Sequence, residues 1–361
     1  MKIAINYKLK TKSWGGGNQF VSSLINSAKQ KDYNITFNLN DKDIDIILMI
    51  DPRSYNDDIT FGSLDIIRYL FFINKNAIII HRINECDERK NTRHINRLLR
   101  FSNYCADFTV FISSWLKNLD IYEKNKPSRV ILNGADKNIF CNYGDNSWDG
   151  KVPLKIVTHH WSPNYMKGFD VYKEVDQLID LPYWRNRIEF TYIGNLPKGF
   201  TFKNAKHIKP INGKLLGKEL AKHNLYLSAS INEPAGMHHI EGIMCGLPII
   251  FRKSGALPEY CDNYGICFEN KDFLSALNKM LEQYSYYKKK VVSYPNDAIK
   301  MTNEYLDLFS ELINKRDKII KTRNLFRSPS KLVKNLIFIF LEFKVIVRFL
   351  YKKFVNFRRN I

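Results

Sequence analysis

The sequence predicts an α/β architecture of two doubly wound domains, a closing helix and a basic amphipathic tail. Three observations carry this. The chain has 361 residues, against roughly 100–200 per domain. Up to about residue 300, short apolar runs alternate with amphipathic stretches, as βα units do. Between the two series lies residues 142–153, rich in Gly, Asp and Asn, which punctuate structure. The expected domains are therefore 1–145 and 146–300, with a closing helix over 301–322 and the tail over 323–361.

In the first domain, apolar runs predict strands at residues 2–7, 35–39, 44–50, 77–80, 108–112 and 129–132. Helices are expected between them at 19–29, 91–104 and 114–119. The second series predicts strands at 155–159, 188–193, 205–208, 225–228, 248–251 and 265–268, with helices at 169–178, 214–223 and 236–245. Two longer amphipathic stretches, 273–290 and 297–320, close the chain.

Composition narrows the function classes. Apolar residues make up 45% and aromatics 14%, too much core material for a disordered chain. The six cysteines are scattered and form no C-x-x-C pair, which disfavours zinc ribbons and thioredoxin-like sites. Lys8 and Lys10 follow the first apolar residues at once, so no export signal is expected, and the thiols are read as reduced in a cytosolic protein. No run of ~18 apolar residues predicts a membrane span.

The net charge is +20, and it is unevenly spread. From Lys315 to Ile361, fourteen Lys and Arg face only Asp317 and Glu342. Wound at ~100° per residue, this segment puts Lys331, Lys334, Lys344, Arg348, Lys352 and Lys353 on one half of a helix. Leu336, Phe340, Phe343, Val347, Leu350, Phe354 and Phe357 fall on the other, with Phe338, Val345 and Phe349 intruding on the basic half. Such a helix suits an anionic membrane interface, and packing on protein is the alternative. A nucleic-acid arm would be more polar, so no nucleic-acid partner is expected.

In open α/β sheets, ligands bind beyond the carboxyl ends of strands, near helix N-termini. Four segments fit. Ser13-Trp14-Gly15-Gly16-Gly17-Asn18-Gln19 follows the first strand, and Gly15, Gly16 and Gly17 allow close approach to a phosphate or acceptor. With Phe20 where G-x-G-x-x-G needs its last glycine, a nicotinamide-dinucleotide site is not supported. His81, Arg82, Asn84, Glu85 and Asp87 follow the 77–80 run and predict a cleft wall. His159-His160-Trp161-Ser162-Pro163-Asn164 leads to Lys167-Gly168 at a loop–helix junction, where a lysine can hold a phosphate. Adjacent histidines on a strand point to opposite faces, so no metal is expected there. Glu233-Pro234-Ala235-Gly236-Met237 opens a helix, with Glu241 about two turns in. N–H groups at that helix start, around Gly236 and Met237, can hold a diphosphate, while Glu233 and Glu241 accept hydrogen bonds from sugar and ribose hydroxyls. Asp41, Asp43 and Asp45 form a D-x-D-x-D cluster, read as a solvated turn rather than a metal site.

Taken together, Glu233…Glu241, Gly246-Leu247-Pro248, Gly255-Ala256-Leu257-Pro258-Glu259, Lys167-Gly168 and Asn133-Gly134-Ala135-Asp136 resemble the retaining GT-B glycosyltransferases of the family-4 (group 1) class. Ala106-Asp107 with Ser113-Ser114-Trp115-Leu116 also resembles a segment of that class, and the likeness covers roughly residues 1–315. The resemblance implies two Rossmann-like domains facing a cleft, a nucleotide sugar, UDP- or GDP-linked, as substrate, and no cofactor or metal. It implies that Glu233 contacts the donor sugar, Glu241 the ribose and Lys167 the leaving diphosphate. His81 would lie near the reacting sugar, and Arg82, Asn84, Glu85 and Asp87 beside the acceptor. Ser162 and Asn164 would help bind the donor. Many members carry an arginine where this chain has Ser162, so the second phosphate cation is expected elsewhere, with Arg252 the candidate. A glycan or lipid-linked acceptor in envelope polysaccharide synthesis, on the cytoplasmic face of the membrane, would suit the tail. A catalytically silent scaffold and a sugar-nucleotide epimerase are the alternatives.

Overall fold

The computed structural model describes residues 1–10, 15–144, 146–269 and 272–323, together with Leu325, Phe340, Phe343, Val347, Leu350 and Tyr351. The first domain runs β1 (Lys2–Ile5), α1 (Gly16–Gln30), β2 (Asn34–Thr36), β3 (Ile46–Met49), α2 (Ser63–Phe72), β4 (Ile78–Ile83), α3 (Ile95–Asn103), β5 (Phe108–Phe111), α4 (Ser114–Lys117) and β6 (Ser128–Val130). Its strands are all parallel, in the order β2-β1-β3-β4-β5-β6. Both faces of the sheet are covered, so β3 and the first half of β4 read as unbroken apolar runs rather than alternating ones.

The second domain runs β7 (Leu154–His160), a 3₁₀ turn (Tyr165–Lys167), α5 (Phe169–Leu178), β8 (Ile188–Gly194), β9 (Lys206–Ile208), α6 (Gly213–Leu220), β10 (Leu225–Ser228), α7 (Met237–Met244), β11 (Ile249–Arg252), α8 (Leu257–Cys261), β12 (Gly265–Phe268) and α9 (Phe273–Lys290). Its sheet is also parallel, in the order β12-β11-β10-β7-β8-β9. The strand order reverses beside β1 in the first sheet and beside β7 in the second. Ligands of such sheets bind at that reversal, and the loops after β1, β7 and β10 all lead into the interdomain cleft.

The chain then returns to the first domain. α10 (Ala298–Asn314) lays Met301, Tyr305, Leu306, Leu308, Phe309 and Leu312 on the core formed by Ile3, Ile5, Phe20 and Leu24. The sequence pattern suggested one helix over 297–320; the structure breaks it at Lys315 and continues as α11 (Arg316–Thr322). Where the two crossings meet, Ala298 N donates to Ala135 O at 2.8 Å. They pass so closely that a Cβ on Gly134 would sit 2.0 Å from Asp297 O. That contact explains the glycine in Asn133-Gly134-Ala135-Asp136.

Three other expectations need correction. β4 extends to Ile83, so His81 and Arg82 lie within the strand rather than after it. α1 begins at Gly16, so Gly16 and Gly17 form a helix start rather than a free loop; Ser13 and Trp14 of that motif lie outside the described residues. Arg323 belongs to the body and not to the tail, because its guanidinium grips Asp107 at 2.5 Å and the carbonyls of Lys75 and Ala77. Most of the expected amphipathic tail lies outside the described residues. Within it Phe340, Phe343, Val347, Leu350 and Tyr351 are helical and exposed. No described helix is long and apolar enough to cross a membrane.

Gly134→Ala should destabilise the protein by about 1–3 kcal/mol, the usual cost of overpacking. A urea titration should show a lower midpoint with an unchanged slope.

Candidate active site

The cleft encloses a cavity of about 240 Å³. α1 and α7 start on opposite walls of it. A Cβ on Gly16 would come within 2.6 Å of Met237 Cγ, so only glycine lets the two helix starts approach this closely. Two positive helix ends therefore converge on one space, with free N–H groups on both sides, an arrangement that favours a polyanion. Gly15, Gly16, Gly17, Gly236 and Met237 all line it.

Glu233 stands at the centre, 1% exposed. Asn164 caps the 3₁₀ turn by accepting from Met166 N at 2.9 Å, and the turn delivers Lys167 into the cleft. Lys167 Nζ meets Glu233 Oε2 at 2.5 Å. Burial opposes the charge on Glu233, but Lys167 and Arg89 outweigh it and hold the carboxyl well below the usual range. The loop carrying Glu233 is strained, since Asn232 and Ala235 have φ of 51° and 149°. Tertiary bonds hold it there. Ser113 Oγ donates to Pro234 O and Asn133 Nδ2 to Ala235 O, both at 2.8 Å from the first domain. Ala256 N donates to Glu233 O at 2.8 Å, so the Gly255-Ala256 motif braces the loop from behind.

Glu241, the fifth residue of α7 and just over one turn in, is 2% exposed and meets His159 Nε2 at 2.6 Å. Its Oε1 has no partner. His159, His160 and His238 all line the cavity. His160 pairs with Tyr172 OH at 2.6 Å and His238 with Ser228 Oγ at 2.9 Å. The sequence showed the 159–160 pair but not its use, because His160 is the last residue of β7 and lies beside the cleft with its neighbour.

On the first domain the expected residues separate. Arg82 and Asn84 line the cavity. Arg82 is fixed by Tyr305 OH at 3.0 Å and Asn133 Oδ1 at 2.8 Å, and stacks over Phe20. His81 does not line it. Successive strand residues face opposite ways, and His81 is turned inward to Asn103 at 3.3 Å, where burial and then Lys126 push its pKa down to about 3. Glu85 is a buried counter-ion for Arg89 at 3.0 Å and Lys90 at 3.3 Å, and Asp87 caps α3 through Ile95 N at 2.9 Å. Neither lines the cavity, so both are corrected from acceptor contacts to supports. Arg252 is likewise outside it, paired with Asp170 at 2.5 Å and lying over Phe268. Asn164 is a turn cap, while Ser162 does line the cavity. Arg89, which no motif marks in the sequence, lines the wall 4.0 Å from Glu233. Asp41 and Asp43 pair with Lys2, and Asp45 with Arg316, away from the cleft.

No protein-family model matches the chain. A 125-residue stretch is 30% identical to the glycogen synthase of Aquifex aeolicus (strain VF5); it spans 31% of this chain and 27% of that protein's length. The whole fold is similar to Anabaena HepE solved with UDP (TM-score 0.63, 13% identity, 86% of this chain and 100% of that one). It is also similar to sucrose-phosphate synthase from Thermosynechococcus elongatus (0.61, 12%, 87% and 99%). The catalytic domain of starch synthase IV from Arabidopsis thaliana, solved with ADP and acarbose, is similar too (0.59, 12%, 87% and 99%). At these identities the likeness establishes the fold, which is GT-B, two Rossmann-like domains facing a cleft.

Burial depresses the pKa of His81 and His239 to about 3 and of His223 to about 4, and holds His160 and His238 well below 6.5. The unfolded chain takes up these protons near pH 6.5 and the native one does not. Stability should therefore fall on acidification from pH 6.5 towards 5, by roughly 1.4 kcal/mol per histidine per pH unit. Urea midpoints across that range would measure it, and His81→Gln should flatten the slope by one proton's worth.

Proposed function

We propose that the protein is a retaining, metal-independent glycosyltransferase that uses a UDP- or GDP-linked sugar. The observation that supports this most is the Lys167–Glu233 pair lying beside Glu241 and the α7 start in one cleft. The nucleotides bound in HepE and starch synthase IV, UDP and ADP, support a nucleoside-diphosphate donor.

In this reading the donor diphosphate lies against the N–H groups at the starts of α7 and α1. Glu241 accepts from the ribose diol, turning from His159. Lys167 leaves Glu233 for the diphosphate, and Glu233 is freed to accept from donor-sugar hydroxyls. The bond from the anomeric carbon to the diphosphate oxygen breaks, and the acceptor oxygen bonds to that carbon on the same face. The acceptor's proton passes to the departing phosphate oxygen. The protein contributes position and stabilisation of leaving-group charge rather than a nucleophile of its own.

The acceptor in this proposal is a glycan or lipid-linked sugar of envelope polysaccharide synthesis. The protein is placed in the cytoplasm, peripheral on the inner face of the membrane. The basic charge of the tail and its exposed Phe340, Phe343, Val347, Leu350 and Tyr351 support that placement.

Thermal shift against UDP, GDP, ADP, TDP and CMP should single out one nucleotide. At ~100 times its dissociation constant it stabilises by ~2.7 kcal/mol, and Glu241→Ala should abolish the shift. With the matching donor, Lys167→Ala should reduce kcat about 10²–10³-fold, as loss of a leaving-group contact does. Absence of any nucleotide shift would refute the donor site. Removal of residues 326–361, which spares Arg323, should abolish co-sedimentation with vesicles containing anionic lipid; undiminished binding would refute the membrane role.

A further inference from the structure

We propose that Arg89 of the first domain is the second cation that grips the outer phosphate of the donor, so that the donor site is completed across the cleft. This inference rests on the donor reading above.

Arg89 and Lys167 approach one carboxylate from opposite domains. Lys167 holds Glu233 Oε2, while Arg89 Nε lies 4.0 Å from Glu233 Oε1. Both that Nε and that Oε1 are buried without a hydrogen-bond partner. A buried donor and a buried acceptor left unpaired each cost free energy, so this edge of the guanidinium favours a further acceptor brought close to it. An anion drawn in by Lys167 at the α7 start would lie beside it.

The surrounding charges allow Arg89 to be shared. Glu85 holds Arg89 Nη1 at 3.0 Å, but Lys90 also contacts it and Arg53 acts on it from nearby. Among the described residues that line the cavity, Arg82, Arg89 and Lys167 outnumber Glu233 and Glu241 by one positive charge. Other candidates are excluded by their contacts. Arg82 is bound to Tyr305 and Asn133, Arg252 is paired with Asp170 outside the cavity, and position 162 is a serine. A guanidinium presents a planar fork suited to phosphate. Because Arg89 comes from the opposite domain, the diphosphate would tie the two domains together.

The test uses the nucleoside diphosphate that most stabilises the wild-type chain, with its monophosphate as control, by titration calorimetry. Arg89→Gln should weaken the diphosphate about tenfold or more and the monophosphate less than about threefold, as loss of one charge-assisted contact to the outer phosphate implies. Arg89→Lys should fall between. Ser162→Arg added to Arg89→Gln should restore most of the affinity, since it places a guanidinium on the cavity wall from the donor's own domain; this rescue excludes a folding defect. Unchanged diphosphate affinity in Arg89→Gln would overturn the assignment and leave the donor site standing. Equal loss of both nucleotides without rescue would reduce Arg89 to a support of the fold and overturn it too. If the wild-type chain binds none of the nucleotides, the glycosyltransferase reading fails and the role of Arg89 fails with it.

Discussion

A buried carboxylate between two cations from different domains is the constraint on which the rest of this molecule depends. Glu233 is held by Lys167 and faced by Arg89. A charge removed from water this far is tolerated only when paired. Pairing it requires a loop with two non-glycine residues at positive φ, a 3₁₀ turn aimed at it and a closed domain interface. Each of these is supported by contacts from well outside its own segment.

The closed interface is both apolar and polar. One buried cluster runs through both domains, with Phe111, Ile112 and Leu116 on one side and Ala235, Met237 and Tyr260 on the other. Tyr260 OH donates to Ile112 O at 2.6 Å and accepts from Asn133 N at 2.8 Å, so one hydroxyl joins the domains twice. The apolar contact supplies area and the hydrogen bonds supply register. This is what allows the starts of α1 and α7 to face each other with only Gly16 between them.

The charge of the chain is divided in the same way. The cleft concentrates a small positive surplus inside low-dielectric walls, where each charge counts for more. Residues 315–361 carry twelve of the twenty net positive charges, and charges exposed to solvent are screened by salt. Arg323 marks the division, fixed to Asp107 and the backbone before β4, at the end of the first sheet away from the cleft.

Much of this was legible in the sequence. Parallel strands buried on both faces leave apolar runs of recognisable length, and helix starts that approach a ligand leave glycines, so both sheets and the segments around Glu233, Glu241 and Lys167 could be read locally. The misplacements share one cause. His81 and Arg82 follow an apolar run whose end resembles the end of a strand; the strand continues through them, and alternation sends one inward and the other to the cleft. Arg252 pairs with Asp170 outside the cavity, whereas Arg89, besides its bond to Glu85, reaches the cavity and faces Glu233, 144 positions away. Sequence by itself determined which segments are strands, which loops carry functional groups and where the charge lies, because those depend on neighbours along the chain. Tertiary structure alone decided which groups meet, because ion pairing and helix-end convergence depend on distances of a few ångströms between segments that local periodicity does not connect.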